Sequence, residues 1–243
     1  FNEEIKIISE KVDELFDGIE KERRVVSGGQ RRDWIFSGPV ANKLDVPHVS
    51  LYKQKQGEED KIEVIRNGSI DPSYSLKGKY AVHVVDLITK GSNIYRIENW
   101  QEMGWVSMLR KKGATINDLV AVVTRCQGGE KMLADLPEPV NVHSFVAIDE
   151  DFVKKYSNNP ERVLEYMKDS MEWTKNYLKD NGALAIVDAF DPNGSKQNRA
   201  EKFIKKHCQL LYDAGKLDEF EDAIQEKYGI SVMETYDLNK ILR

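Results

Sequence analysis

Apolar residues recur at largely helical spacing through residues 2–22, where Ile5, Ile7, Ile8, Val12, Leu15 and Phe16 trace one face. This predicts an amphipathic helix. Val25 and Val26 then lead into Ser27-Gly28-Gly29, which reads as a short strand and a glycine turn. Residues 34–44 look helical from about Gly38, with Pro39 tolerated in a first turn. Val46 to Tyr52 has the apolar content of a buried strand, and residues 53–61 are charged without apolar anchors, the pattern of a mobile loop. Ile62 to Ile65 predicts the returning strand, followed by a turn at Asn67-Gly68.

Residues 80–85 (YAVHVV) form the most strand-like run in the chain, and it delivers Asp86 into a small polar segment ending at Gly91-Ser92. A helix is expected over about 98–112, stopping at Gly113. Further strands are expected at Val120 to Val123 and within Val140 to Ile148. Strands and helices thus alternate to about residue 150, the pattern of a mostly parallel α/β sheet with flanking helices. Beyond it, residues 160–181, 196–213 and 216–228 read as helices, and Ala183 to Val187 as either a strand or a buried helical turn. The expected organisation is an α/β domain over 1–150 and a mostly helical C-terminal extension over 151–243.

Composition narrows the function classes. The 243 residues are 40% hydrophobic with a formal net charge of -5. Acidic and basic residues are mixed, so no basic stripe suggests a nucleic-acid partner. No apolar run approaches the ~20 residues of a membrane span. The two cysteines, Cys126 and Cys208, lie far apart with no CxxC spacing, which argues against a zinc site or a disulfide framework. With no basic-then-apolar leader in view, a cytoplasmic location is expected.

The candidate chemistry lies in VHVVDLITKGS, Val82 to Ser92. In open α/β sheets ligands bind beyond the carboxyl ends of strands. Gly91 lets the backbone approach an anion, Thr89 and Ser92 add hydroxyl donors, and the turn's N–H groups can form an anion nest. Lys90 either adds charge or points to solvent. Asp86 is placed to accept hydrogen bonds from sugar hydroxyls beside a phosphate. The bland alternative is an ordinary strand-to-loop junction. His48, His83 and His143 lie on expected strands, where a packed or hydrogen-bonded ring is the commoner outcome. Trp34, Phe36, Trp100 and Trp105 read as core or interface, and Tyr166, Trp173 and Tyr177 as one packed side of the helix after 160.

Val84 to Ser92 resembles the phosphoribosyl pyrophosphate signature of type I phosphoribosyltransferases. That signature runs apolar residues, two acids, two apolar residues and Thr-x-Gly-x-Ser/Thr. The first acid is replaced by Val85; only Asp86 remains. Val120 to Leu133 (VAVVTRCQGGEKML) is similar to a segment of orotate phosphoribosyltransferases, with Arg125 on the arginine that contacts orotate and Thr124 replacing the preceding Asp. A planar guanidinium suits a flat acidic pyrimidine, although a surface Arg at a strand end would look the same. Val25 to Gly57 resembles the family's pyrophosphate loop, following helix and strand, and mobile catalytic loop.

The resemblance implies that Gly28, Gly29, Arg31 and Arg32 lie on the pyrophosphate side, and that Lys53 and Lys55 serve catalysis with Asp86. Thr89, Lys90, Gly91 and Ser92 would bind the 5′-phosphate and Arg125 the base. Solvated faces remain the alternative for both arginines and both lysines, and Gln56 stands near the place of the family's loop histidine. The implied activity transfers ribose 5-phosphate from phosphoribosyl pyrophosphate to a nitrogenous base, orotate first. Mg2+ would be carried mostly by substrate and weakly by Asp86, in a homodimer. A non-catalytic protein that binds phosphoribosyl pyrophosphate or a nucleotide on the same fold is the second reading, favoured by Val85 and Gln56.

Overall fold

The computed structural model describes residues 1–53 and 61–242. Lys55 and Gln56 therefore lie outside the described residues. The chain forms two compact units, Phe1–Asn158 and Asn159–Arg243.

The first unit opens with α1 (Asn2–Leu15), β1 (Arg24–Gly29), α2 (Trp34–Lys43) and β2 (His48–Leu51). Then come β3 (Ile62–Arg66), β4 (Ser69–Ile70), β5 (Tyr80–Ile88), β6 (Arg96–Glu98) and β7 (Gln101–Met103). It closes with α3 (Trp105–Lys111), β8 (Thr115–Thr124), α4 (Gly129–Ala134), β9 (Asn141–Ala147) and α5 (Glu150–Tyr156). Seven strands form one sheet in the order β4-β3-β2-β1-β5-β8-β9. The five from β2 to β9 are mutually parallel, while β3 and β4 add an antiparallel edge.

The period-two alternation of strand side chains gives the sheet two buried faces. Val26, Val82, Val84 and Val120 pack with Ile5, Ile8, Val12 and Phe16 of the N-terminal segment and with Val40 and Ala41 of α2. Val25, Val49, Ala81, Val85, Leu119 and Ala121 pack on the other face with Trp105, Met108 and Leu109 of α3. Within β5, neighbouring Val84 and Val85 therefore belong to opposite cores.

Several sequence expectations are corrected. The first helix ends at Leu15 rather than residue 22, and Lys21–Arg23 form a separate 3-10 turn. Gly28 and Gly29 are the end of β1, not a turn. Pro39 stands sixth in α2, past the first turn; it withholds the N–H that the Ile35 carbonyl would take. The expected 98–112 helix is shorter. Its first part is the β6–β7 hairpin, whose turn residues Asn99 and Trp100 both have positive φ, and Gly104 at φ 103 starts α3. Trp100, expected in a core or interface, is 98% exposed. Asp86 lies inside β5, which continues to Ile88.

In the second unit, the single helix expected over 160–181 is two: α6 (Pro160–Lys168) and α7 (Ser170–Asn181). They are separated because Asp169 is extended and its carboxylate accepts the Met171 and Glu172 N–H groups, capping α7. Trp173 and Tyr177 stack on α7 at 5.2 Å, and Tyr166 of α6 meets Trp173 edge-on. Residues Leu184–Phe190 are a 3-10 segment, followed by α8 (Gln197–Asp213), α9 (Leu217–Tyr228) and α10 (Val232–Thr235). Phe190, Ile204, Leu211, Phe220 and Ile224 form the centre of this unit's own core. Among the described residues, no helix is long and apolar enough to cross a membrane.

Two strand histidines are buried, His48 of β2 against α2 and His83 of β5. Ser37 Oγ and Ser50 Oγ lie 2.8 and 3.2 Å from the two ring nitrogens of His48, and Ser27 Oγ lies 2.9 Å from His83 Nδ1. Burial pushes His48 down to about 4 and His83 down to about 3, the latter with a further push from His48. Both rings are therefore neutral in the fold, whereas the unfolded chain takes up protons below about 6.5. Stability should be complete above that pH and fall as the pH drops towards the folded values. His48 alone accounts for a loss on the order of 3 kcal/mol. Urea midpoints of His48→Gln and the wild type at pH 8 and pH 5 check this, with a smaller pH dependence expected in the variant.

Candidate functional site

Three stretches separated by up to about 100 residues meet at the carboxyl end of the parallel strands. β1 and β5 are adjacent in the sheet, as are β5 and β8, so the segments that leave these three strands share one rim.

The first stretch leaves β1. The Gln30 N–H donates to the Leu51 carbonyl at 2.8 Å, and Gln30 Oε1 accepts the Lys53 N–H at 3.1 Å. The Gln30–Arg31 peptide is cis. Arg31 and Arg32 are exposed. Trp34 Nε1 donates to the Gly28 carbonyl at 2.9 Å, and its ring meets Tyr52 edge-on at 5.0 Å. Gly28 and Gly29 are needed where they stand: a Cβ on Gly28 would run into Ser37, and one on Gly29 into the Trp105 ring and Asp33.

Asp33 precedes α2 at the position from which an Asp ordinarily caps a helix, yet it makes no cap bond. Instead its Oδ1 accepts the backbone N–H of Asp86 at 3.0 Å. Asp33 is 8% exposed. Burial holds its carboxyl well above the usual carboxylate range; the Asp86 N–H works against that rise and the Asp86 carboxyl adds to it. Arg32 Nε lies 2.9 Å from Asp86 Oδ2. One residue of the first stretch thus engages the side chain of Asp86, and the next its backbone.

The second stretch is the turn after β5. Gly91 has φ +73, and its carbonyl accepts the Ile94 and Tyr95 N–H groups at 2.8 and 3.0 Å. Thr89 is half-buried, while Lys90 and Ser92 are exposed. A cavity of about 280 Å³ is lined by Lys53, Ser92, Asn93, Arg96, Gly104 and Trp105. It brings Lys53 and the turn after β5 into one concavity.

The third stretch leaves β8. The Arg125 N–H donates to the Ile88 carbonyl at 2.9 Å, and the Gly129 N–H to the Thr89 carbonyl at 3.1 Å. These two bonds fasten residues 125–129 against the turn. Gly128, at φ +94, starts α4 and lets Gly129 approach. Thr124 Oγ1 bonds Glu130 and accepts the Cys126 N–H. Arg125 is half-buried, at the rim.

The site residues read from the sequence and lying in the described part are therefore distributed over these three stretches and Lys53. Sequence reading missed Asp33. Its signal was an acidic residue just ahead of an apolar helical run, a pattern that reads as a cap. His143, singled out for its strand position, bonds Asp118 at 2.8 Å. Among the described residues, no cluster of three or more His, Cys, Asp or Glu could hold a metal ion.

The chain is similar in structure to solved phosphoribosyltransferases. An orotate phosphoribosyltransferase from Aeropyrum pernix shares 21% identity over 61% of this chain and 75% of its own, with a TM-score of 0.42. An adenine phosphoribosyltransferase from Trypanosoma brucei, in complex with AMP, pyrophosphate and ribose-5-phosphate, shares 14% over 60% and 65%, at 0.43. Leishmania donovani UMP synthase shares 15% over 67% of this chain and 32% of its own, at 0.45. No family model matches the chain, and no curated protein does.

Proposed function

We propose that this protein binds phosphoribosyl pyrophosphate at the rim formed by residues 28–33, 86–92 and 124–129, and transfers its ribose 5-phosphate to a nitrogenous base. The observation that carries the reading is the run from Asp86 to Ser92, in which a buried parallel strand presents a carboxylate near its carboxyl end and is followed by a glycine-containing turn with Gly91 at φ +73, a setting suited to an anion.

In this reading Thr89, Lys90, Gly91 and Ser92 hold the 5′-phosphate through backbone N–H groups, hydroxyls and charge. Asp86 accepts hydrogen bonds from the ribose hydroxyls. Arg31 and Arg32 neutralise pyrophosphate beside Gly28 and Gly29, and Lys53 and Lys55 add positive charge for the departing group. Binding releases Arg32 from Asp86, since the same guanidinium serves the departing group. The C1–O bond to pyrophosphate breaks with its electron pair as a base nitrogen forms the C1–N bond, and the nitrogen's proton passes to solvent. Positive charge develops on the ribose ring between these events, as in other glycosyl transfers. Arg125, half-buried beside the turn, orients the base, orotate being the first choice for a bidentate guanidinium.

Magnesium prefers substrate oxygens, water and one or two carboxylates. Asp86 fits a weak hold on an ion carried in mainly by the substrate's phosphates. Bound there, the ion would offset negative charge on pyrophosphate.

The test is pyrophosphate release with magnesium, phosphoribosyl pyrophosphate and a panel of bases, alongside calorimetry. Turnover with one base is the expected result. Binding without turnover on any base would instead favour a nucleotide-binding regulator, a reading to which the apolar Val85 lends weight. Absent binding would sink both.

A further inference from the structure

The sequence departs from the two-acid signature at Val85, and the structure gives the departure a physical cause. Val85 is 2% exposed and packs in the α3-side core with Ala81, Leu109 and Leu119, whereas Asp86 is half-buried on the other side of the strand. A carboxylate at position 85 would be buried among apolar side chains without a partner. A second carboxylate nevertheless reaches the site by another route. Asp33, from the segment between β1 and α2, forgoes the cap of its own helix and accepts the Asp86 N–H at 3.0 Å.

We propose that Asp33 is a positioning residue: it pins the backbone of Asp86 to the segment after β1, so that the ribose-side carboxylate and the pyrophosphate-side arginines keep one spacing. The role rests on the phosphoribosyl reading of the site. Asp33 touches no substrate in it. Three local features hold Asp33 in place. It is nine-tenths buried, and a Cβ added to Gly29 would come within 2.8 Å of its Oδ2. The adjacent Arg32 pairs with the Asp86 carboxylate from the solvent side, so backbone and side chain of Asp86 are both gripped from one segment.

The role predicts a split between substitutions. Asp33→Ala removes the acceptor and leaves the Asp86 N–H unsatisfied, which should weaken binding of magnesium phosphoribosyl pyrophosphate roughly tenfold or more. Asp33→Asn keeps a carbonyl oxygen at the same reach and should restore affinity to within about threefold of wild type. Calorimetry reads the affinity. Hydrogen exchange at the Asp86 amide, followed without ligand, reads the contact itself: protection is expected in the wild type and Asp33→Asn and lost in Asp33→Ala. If Asp33→Ala does not fold, the near-isosteric Asp33→Leu replaces it.

Unchanged affinity in Asp33→Ala, or in Asp33→Leu where that replaces it, overturns the proposal. So does equal loss in both substitutions with amide protection kept in Asp33→Asn, since charge rather than positioning would then matter. Both outcomes leave the phosphoribosyl reading standing. Wild-type protein that fails to bind the ligand sinks that reading and the role of Asp33 with it.

Discussion

Asp86→Asn should lower the affinity for magnesium phosphoribosyl pyrophosphate about a hundredfold, the loss of two charge-assisted hydrogen bonds at about 1.5 kcal/mol each. The amide keeps the shape of the side chain but holds only one acceptor and no charge. Fold stability should change little, because the exposed partner Arg32 can turn to water and the Asp86 N–H that Asp33 accepts is kept. Paired titrations and melting curves of the variant and the wild type check both halves. A hundredfold loss at unchanged melting temperature separates a ligand-binding carboxylate from a structural one. Equal affinities would mean that the turn after β5 binds phosphate without using the sugar.

Gly129→Ala is expected to harm both stability and binding, for a steric reason. Gly129 lies in the first turn of α4 with no special backbone demand, so propensity alone favours alanine. Yet a Cβ there would stand 2.6 Å from the Thr89 carbonyl oxygen, 2.8 Å from Ile88 Cγ2 and 3.0 Å from the Gly91 N–H nitrogen. Two of those atoms are backbone of the proposed phosphate turn, and they cannot yield without moving it. The bond from the Gly129 N–H to Thr89 would be lost as well. A destabilisation of about 2 kcal/mol is expected from overpacking of this kind. For a unit of this size that is a fall in melting temperature of roughly 5 °C. Binding of inorganic phosphate or phosphoribosyl pyrophosphate should fall with it. Gly128→Ala makes the informative comparison. A Cβ at Gly128 would meet nothing within 4 Å, so its cost should be backbone strain at positive φ, with the turn undisturbed.

The sheet was legible in the sequence because it is made of apolar runs. VVSGG, VHVV and LVAVV announce β1, β5 and β8 without any knowledge of their neighbours. The turn from Asp86 to Ser92 was legible for a similar reason: a glycine and small polar residues directly after such a run are local facts. The hairpin at 96–103 was not, since its two three-residue strands carry no alternation long enough to register, and its turn uses Asn99 and Trp100 where glycine would be the usual signal. The break between α6 and α7 was hidden because the apolar spacing runs on through Asp169, whose extended backbone decides the matter.

What the sequence by itself determined is therefore the set of buried strands, the helical second unit and the glycine-containing turn after β5, all fixed by the order of apolar, glycine and polar residues over short local windows. What only the tertiary structure decided is the company that turn keeps. The fastening of Gly129 and Arg125 onto residues 88 and 89, the ion pair of Arg32 with Asp86, and the diversion of Asp33 from its own helix all join residues far apart in the chain. They depend on β1, β5 and β8 lying side by side, and strand order is a global choice of packing that no local pattern records. The exclusion of an acid from position 85 belongs to the same choice, because it depends on which face of the sheet received α3.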